Sequence, residues 1–455
     1  MRLVIAACAL ALVGCPDRNV AEVTPSQSGE IQKDVAVSAD IDILFVIDSS
    51  SSTQDKQALF AANFPKFVQA IDAFPTGRPN LHVGVVSTTV DIGVAGFGPC
   101  SGAPLDDGRL QNTLHGTMCP TLNGRFISDI AGPTGRQVNY TGTLDQIFSC
   151  IAPLGTGGCG FEAPLEAMKR ALDGTRPENA GFLRPSAYLA VVFLTDEDDC
   201  SVRDKAIFSL PADQAGPGDF RCQPLYAYRC DTPISATTPG AYTNCRVRTD
   251  SYLEDPAAYF DFVSSIKPPG HALVAMIAGD VKHDISTGPI PLPGAPPLQL
   301  QQSCSTTING NLAIGRPGLR LDEFRKLFGG NGLFRSICQS DYQPALADIG
   351  NLIISQVSPC LDGSIDTTDL DPANPGLQLD CTVSELANLD SPEPTETTLT
   401  PCEMSAPDVP SPTGRRPCWW VKPNPVACTT ATGLEIHVEP ALVVGQTLRV
   451  RCATQ

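Results

Sequence analysis

No apolar stretch in this 455-residue chain approaches the roughly 20 residues that a helix needs to cross a bilayer, which excludes a helical membrane-spanning body. Basic residues are scarce as well. Lys and Arg number 31 against 49 Asp and Glu, a formal charge of −18 that repels phosphate backbones and excludes a nucleic-acid partner. The five histidines (His82, His115, His271, His283 and His437) are scattered, and no two cysteines stand as C-x-x-C, so a zinc site is excluded. Also missing are the G-x-S-x-G elbow, H-E-x-x-H and a phosphate-cradling loop, since Gly155-Thr156-Gly157-Gly158 is too short and has no Lys. These absences leave no catalytic machinery to point to, and the expectation is that the chain is not an enzyme.

Cysteine is the residue present in excess. Of 18 cysteines, Cys8 lies in an N-terminal apolar run and Cys15 directly after it, which leaves an even sixteen for disulfides in an oxidising compartment. Short separations suggest Cys100 with Cys119 and Cys150 with Cys159 as local staples. The run 3–13, preceded by Arg2 and closed by Leu12-Val13-Gly14-Cys15, reads as an export signal. Its ending resembles the lipobox of bacterial lipoproteins, which implies cleavage after residue 14 and lipid on Cys15, holding the protein to the cell envelope without a transmembrane helix. Residues 15–38 are polar and aperiodic and read as a flexible tether.

From residue 39 the pattern becomes regular, and 42% hydrophobic content is ample for a core. Residues 41–47 form a β-branched apolar run of the kind buried on both faces of a parallel sheet. Phe60, Phe64, Phe67, Val68 and Ile71 then recur at helical spacing, with a kink expected at Pro65. Further strands are expected at 81–88, 188–194, 273–278 and 333–337, and helices at 161–172, 256–266, around 321–328 and at 342–354. Strands alternating with helices predict an α/β fold with a doubly wound, mostly parallel sheet over residues 39–358. Long Cys-containing insertions interrupt it at about 91–149, 198–254 and 280–317. Residues 359–455 read as a small Cys-rich β module ending in a hairpin of 434–439 and 448–452, with Trp419 and Trp420 as candidate anchors onto the body.

Chemistry is expected at the carboxyl ends of the parallel strands, where open α/β sheets bind ligands. Asp48-Ser49-Ser50-Ser51-Ser52 follows the first strand, and Thr195-Asp196-Glu197-Asp198-Asp199 follows the strand 188–194. Taken alone, the first is equally an Asp/Ser turn capping the next helix, and the second a solvated loop.

In strand-helix order over residues 39–358, these two segments together resemble the metal-ion-dependent adhesion site of von Willebrand factor A domains. That resemblance implies Mg²⁺ or Ca²⁺ held by Ser50 and Ser52, with Asp48 and Asp196 acting directly or through water, an all-oxygen set suited to a hard cation. The family's third motif, a Thr before a helix, falls on Cys159, which cannot supply a hydroxyl. Thr156 or Glu162 would have to stand in, or the metal is lost. Asp91 and Asp198 are further oxygen donors near the same edge. An ion with one open position would accept a carboxylate from a protein partner. The competing expectations are a metal-independent envelope protein braced by disulfides or Ca²⁺, and a metal-assisted hydrolase.

Overall fold

The computed structural model of the chain describes residues 30–36, 40–74, 77–104, 106–132, 134–268, 270–289, 298–357, 359–361, 364–387, 395–425, 428, 430–440 and 447–454. Residues 1–14, expected to be an export signal, Cys15, expected to carry lipid, and 16–29 lie outside the described residues. In chain order, β1 (Glu30–Ala36) precedes the strands of the body: β2 (Asp40–Ile47), β3 (Asn80–Ser87), β4 (Ile127–Gly132), β5 (Gly135–Val138), β6 (Tyr188–Leu194), β7 (Ala272–Ala278) and β8 (Gly332–Ser336). The principal helices are α1 (Gln54–Asn63), α2 (Pro65–Asp72), α3 (Leu144–Ile151), α4 (Pro164–Leu172), α5 (Pro256–Ile266), α6 (Leu319–Lys326) and α7 (Gln343–Val357).

Seven strands form one sheet in the order β5-β4-β3-β2-β6-β7-β8, parallel from β3 to β8 and antiparallel at β4 and β5. This is the doubly wound, mostly parallel α/β fold expected from the strand-helix series. Central strand β2 shows why. Ile41, Ile43, Phe45 and Ile47 enter one core with Phe60, Phe64, Phe67, Phe148 and the apolar side of α7, while Leu44 and Val46 enter the other with α4, α5 and α6. Period-two side chains on a strand covered by helices on both faces leave no polar side, except Asp42, whose carboxylate accepts from Arg184 N at 2.7 Å and Nε at 2.8 Å. Phe45 is the hub of the first core, with the rings of Phe60, Phe64, Phe67 and Phe148 centred 4.7 to 5.8 Å away. Pro65 begins α2 rather than bending one helix, since it sits at a first-turn position where its missing N–H costs nothing.

Insertion 91–149 contains regular structure that the apolar pattern of the body did not announce. β4 and β5 extend the sheet, and α3 carries Leu144, Ile147, Phe148 and Ile151 into the core behind a Thr143/Gln146 capping box. Its disulfides also differ from the local staples expected. Cys100 pairs with Cys159 and Cys119 with Cys150. The physical reason is that the insertion folds back over the sheet edge, where Gly160 N donates to Pro99 O at 2.8 Å and His115 N to Cys150 O at 2.7 Å. Contact there is set by tertiary hydrogen bonds and not by separation along the chain. Cys200–Cys222 and Cys230–Cys245 staple the second insertion, and Cys304–Cys338 ties the third to the end of β8. With three more in the C-terminal module, eight disulfides use all sixteen body cysteines, each contributing about 2–4 kcal/mol and all requiring an oxidising compartment. Among the described residues no helix is long and apolar enough to cross a membrane.

The C-terminal module adds β9 (Cys381–Ala387), β10 (Thr395–Pro401), β11 (Cys418–Pro423), β12 (Leu434–Glu439) and β13 (Thr447–Ala453). Their sheet runs β1-β13-β9-β10-β11-β12. Two expectations are corrected here. Residues 30–36, assigned to the tether, form β1, which pairs antiparallel with β13 from Glu30↔Ala453 to Ala36↔Thr447. The strands 434–439 and 447–453 are not a hairpin, because β12 pairs with β11 while β13 lies between β1 and β9. Alternation along each strand reports a half-buried face without naming the neighbour. Trp419 is buried in the module's own core with Val383, Val421 and Val450, so it anchors the module internally, and Trp420 on the opposite face stacks on His437.

Candidate metal centre

β2 and β6 are neighbours in register, with Ile47 opposite Leu194, so the loops that follow them leave the sheet side by side. Asp48 N donates to Leu194 O at 2.9 Å, which fixes the first loop against the second. The Asp48 carboxylate is fully buried and accepts from Ser50 N and from Thr195 Oγ1, each at 2.8 Å. The chain then turns so that Ser50 Oγ lies 3.1 Å from Ser52 Oγ, and Ser52 Oγ donates to Asp196 Oδ1 at 3.0 Å. Thus Asp48, Ser50, Ser52 and Asp196 are brought together. Thr53 stands at the N-cap of α1 without a side-chain cap bond, its hydroxyl donating instead to Asp48 O and Ser50 O at 3.0 and 2.9 Å, and no helix N–H among the described residues donates to the hydroxyl of Ser50 or Ser52.

A third loop, 155–163, closes over this pair. Gly158 N donates to Ser49 O at 2.8 Å and Cys159 N to Thr89 Oγ1 at 3.0 Å. Thr156 is exposed on this loop, and among the described residues no hydrogen bond ties it to Ser50 or Ser52. Glu162 is buried, and its carboxyl finds no N–H or hydroxyl donor among the described residues but is hydrogen-bonded to the carboxyl of Glu197, so the two share a proton. Cys200 N donates to Glu162 O at 2.8 Å, holding the residue against the acidic loop that carries Asp196. Asp91 is exposed, with Oδ1 accepting from Gly93 N in a local turn.

The acidic loop is not solvated: Asp196, Glu197, Asp198 and Asp199 are all buried. Asp198 accepts from Arg320 N, Leu321 N, Asp199 N and Tyr228 OH, so it caps α6 and has no free oxygen for an ion. Asp199 accepts from Leu165 N in the first turn of α4, and from Arg320 Nη2 and Ser201. Asp196 faces Ser52 instead, and Glu197 turns towards Arg316 and Glu162. Glu197 Oε1 lies 2.7 Å from Arg316 Nη1, which also reaches Asp219 Oδ2 at 2.5 Å, while Glu197 Oε2 has no N–H or hydroxyl donor among the described residues.

Charge does not balance in this region. Asp48, Glu162, Asp196, Glu197 and Asp219 interact electrostatically with one another, against the cations of Lys56 and Arg316. Burial, reinforced by the Asp196 charge, raises the Asp48 carboxyl to about 6. Burial raises Glu197 to about 8, with Arg316 opposing the shift. Burial, then Glu197 and Asp48, pushes Glu162 well above the usual carboxylate range. Carboxyls held this way take up either protons or a cation. Among the described residues no three Asp, Glu, His or Cys side chains converge tightly enough to hold an ion alone, so the hydroxyls of Ser50 and Ser52 are needed to complete a set. All of these groups are oxygens, the donor type that Mg²⁺ and Ca²⁺ take, and the Ser50–Ser52–Asp196 chain is the part of the set the structure brings into direct contact.

Several residues of this centre were not singled out from the sequence. Lys56 and Gln57 lie one turn past Ser52 and Thr53 on α1, an i, i+4 relation that places polar side chains back at the loop. Thr89 follows β3 and Arg316 precedes α6, and no local pattern marks either.

No family model matches this chain, and no curated protein matches it. Among solved structures it is similar to a von Willebrand factor type A protein from Catenulispora acidiphila, with 11% identity and a TM-score of 0.26, covering 94% of this chain and 66% of that one. A second is the pilus adhesin RrgA from Streptococcus pneumoniae, with 10% identity and a TM-score of 0.21, covering 94% of this chain and 58% of that one. The chain therefore spans less than two thirds of the length of either. Similarity at this level is too low to transfer a site or a partner, and strand order alone defines the fold.

Proposed function

We propose that the chain is a cell-envelope lipoprotein, anchored through Cys15, whose body binds a protein partner through Mg²⁺ or Ca²⁺ at the edge formed by Ser50, Ser52, Asp196 and Glu162. The observation behind this reading is the oxygen cluster at the carboxyl edge of β2 and β6, where Ser50 Oγ, Ser52 Oγ and Asp196 Oδ1 are linked at 3.1 and 3.0 Å, with the buried carboxyls of Asp48 and Glu162 in the same region. Carboxyls crowded in this way hold protons that a divalent ion could replace, and the ion would then present a positive centre to a partner carboxylate. Ser50, Ser52, Asp196 and Glu162 would hold the ion, and Asp48 would orient Ser50 and Thr195. The test is calorimetric titration of the full chain with MgCl₂ and CaCl₂ beside Asp48→Ala and Glu162→Gln. Binding by wild type that both variants weaken supports the reading, and identical heats in all three refute it.

A second reading is favoured by the eight disulfides: the ion and the bridges only stabilise an envelope scaffold. It predicts that chelator lowers the melting temperature while retention of envelope proteins by the immobilised chain is unchanged. The anchor is tested separately. Cys15→Ser should move the protein from the detergent to the aqueous phase on cloud-point partitioning, and an unchanged distribution would remove the lipid from the proposal.

A further inference from the structure

Lys56 is a lysine in a place where lysines rarely lie. It leaves the first turn of α1 and is 1% exposed, and its Nζ sits 2.5 Å from Asp196 Oδ2 and 3.0 Å from the Ser52 carbonyl. Buried ammonium groups are tolerated only where an anion repays lost hydration, and here the anion is the carboxylate whose other oxygen accepts from Ser52 Oγ. The ammonium thus shares Asp196 with the hydroxyl pair that would bind the cation, on a side chain with four rotatable methylenes. No ammonium or guanidinium lies against Glu162 among the described residues, and its carboxyl is hydrogen-bonded to that of Glu197 instead.

Resting on the cation reading above, we infer that Lys56 is a built-in competitor for the divalent ion: its ammonium holds Asp196 until the ion displaces it. Two consequences follow from like charges excluding one another within a few ångströms. Cation affinity is lower than the oxygen set alone would give. Ion binding turns Lys56 out of the centre, so that occupancy by the metal changes what the protein shows at this edge of the sheet.

Two measurements on the full chain test this. In the first, Mg²⁺ and Ca²⁺ are titrated into wild type and Lys56→Met. Binding at least about tenfold tighter in the variant is expected. In the second, wild type is acylated with an amine-reactive ester in chelator and in saturating CaCl₂, and modification at Lys56 is read by peptide mass spectrometry against exposed Lys66. Lys56 should be protected without the ion and modified with it. Equal affinities together with unchanged protection would overturn the competitor role while leaving a cation site intact. Absence of ion binding in both proteins would instead remove the cation reading and this inference with it. Should Lys56→Met fail to fold, the acylation of wild type decides alone.

Discussion

Gln57 and Gly155 exchange two hydrogen bonds across the centre: Gln57 Nε2 donates to the Gly155 carbonyl at 2.8 Å, and Gly155 N–H donates to Gln57 Oε1 at 3.1 Å. The same Nε2 donates to Asp48 O at 2.7 Å. One amide side chain therefore joins the first serine loop to the loop that brings Glu162, and the gap between them is set by helix α1 rather than by either loop.

Replacing Gln57 with Ala removes this clasp while leaving every proposed ligand in place. A loss of about 1–3 kcal/mol in stability is expected, because buried backbone groups at Asp48 and Gly155 lose their partners. Urea unfolding measures the loss. Cation titration should show weakened binding as the loop 155–163 drifts, and undiminished affinity would mean that the loop does not contribute.

Gly158 admits no side chain. A Cβ there would lie 2.1 Å from Ser49 Oγ, 2.7 Å from Ser49 O and 2.8 Å from Thr89 Oγ1. Gly158→Ala should push the third loop off the first, costing roughly 1–3 kcal/mol as an overpacked position. The melting temperature should fall and cation binding weaken together, whereas Gly157→Ala, with open space around it, should change neither.

Arg320 and Asp199 form a fully buried pair at 3.0 Å away from the proposed ligands, with Arg320 Nε also donating to Asp199 O at 2.9 Å. Arg320→Met leaves a carboxylate buried beside the α4 terminus without its cation, at an expected cost of about 3–5 kcal/mol. Denaturant unfolding should show this loss, and Asp199→Asn added to Arg320→Met should recover part of it.

His271 supplies a pH dependence outside the centre. Burial, with help from Lys267, lowers its imidazole to about 4, and its ring stacks on Tyr188 at 4.3 Å. Between that value and the ordinary 6.5 the unfolded chain binds a proton that the folded chain refuses, so stability is complete above 6.5 and is lost as pH falls towards 4. The decline is on the order of 3 kcal/mol. His271→Phe keeps the stacking and should flatten the stability curve over this range in thermal melts at stepped pH.

How much of this was legible in the sequence follows from which contacts are local. β2, β6 and β7 could be read almost to the residue because each is an apolar run whose neighbours are all apolar. The serine loop and Asp196 could be placed at one edge because both directly follow such runs. Strands β4 and β5 were missed, since Gly135–Val138 is entirely exposed and carries no alternation. Helix α3 had both a capping box and an i, i+3, i+4, i+7 stripe, and was passed over only because it lies inside a Cys-rich insertion. Thr156 and Glu162 stood as alternatives in the sequence, because no local pattern tells which loop position is exposed, as Thr156 is, and which is buried, as Glu162 is. Asp198 looked like its neighbours until α6, more than a hundred residues later, arrived to use both of its oxygens.

The pairing of Glu30 with Ala453 also makes the first described strand depend on the last. Strand β1 sits at the edge of its sheet and pairs there with β13 alone, so a copy truncated before residue 447 would leave the whole 30–36 ladder without a partner and expose a strand edge open to mispairing.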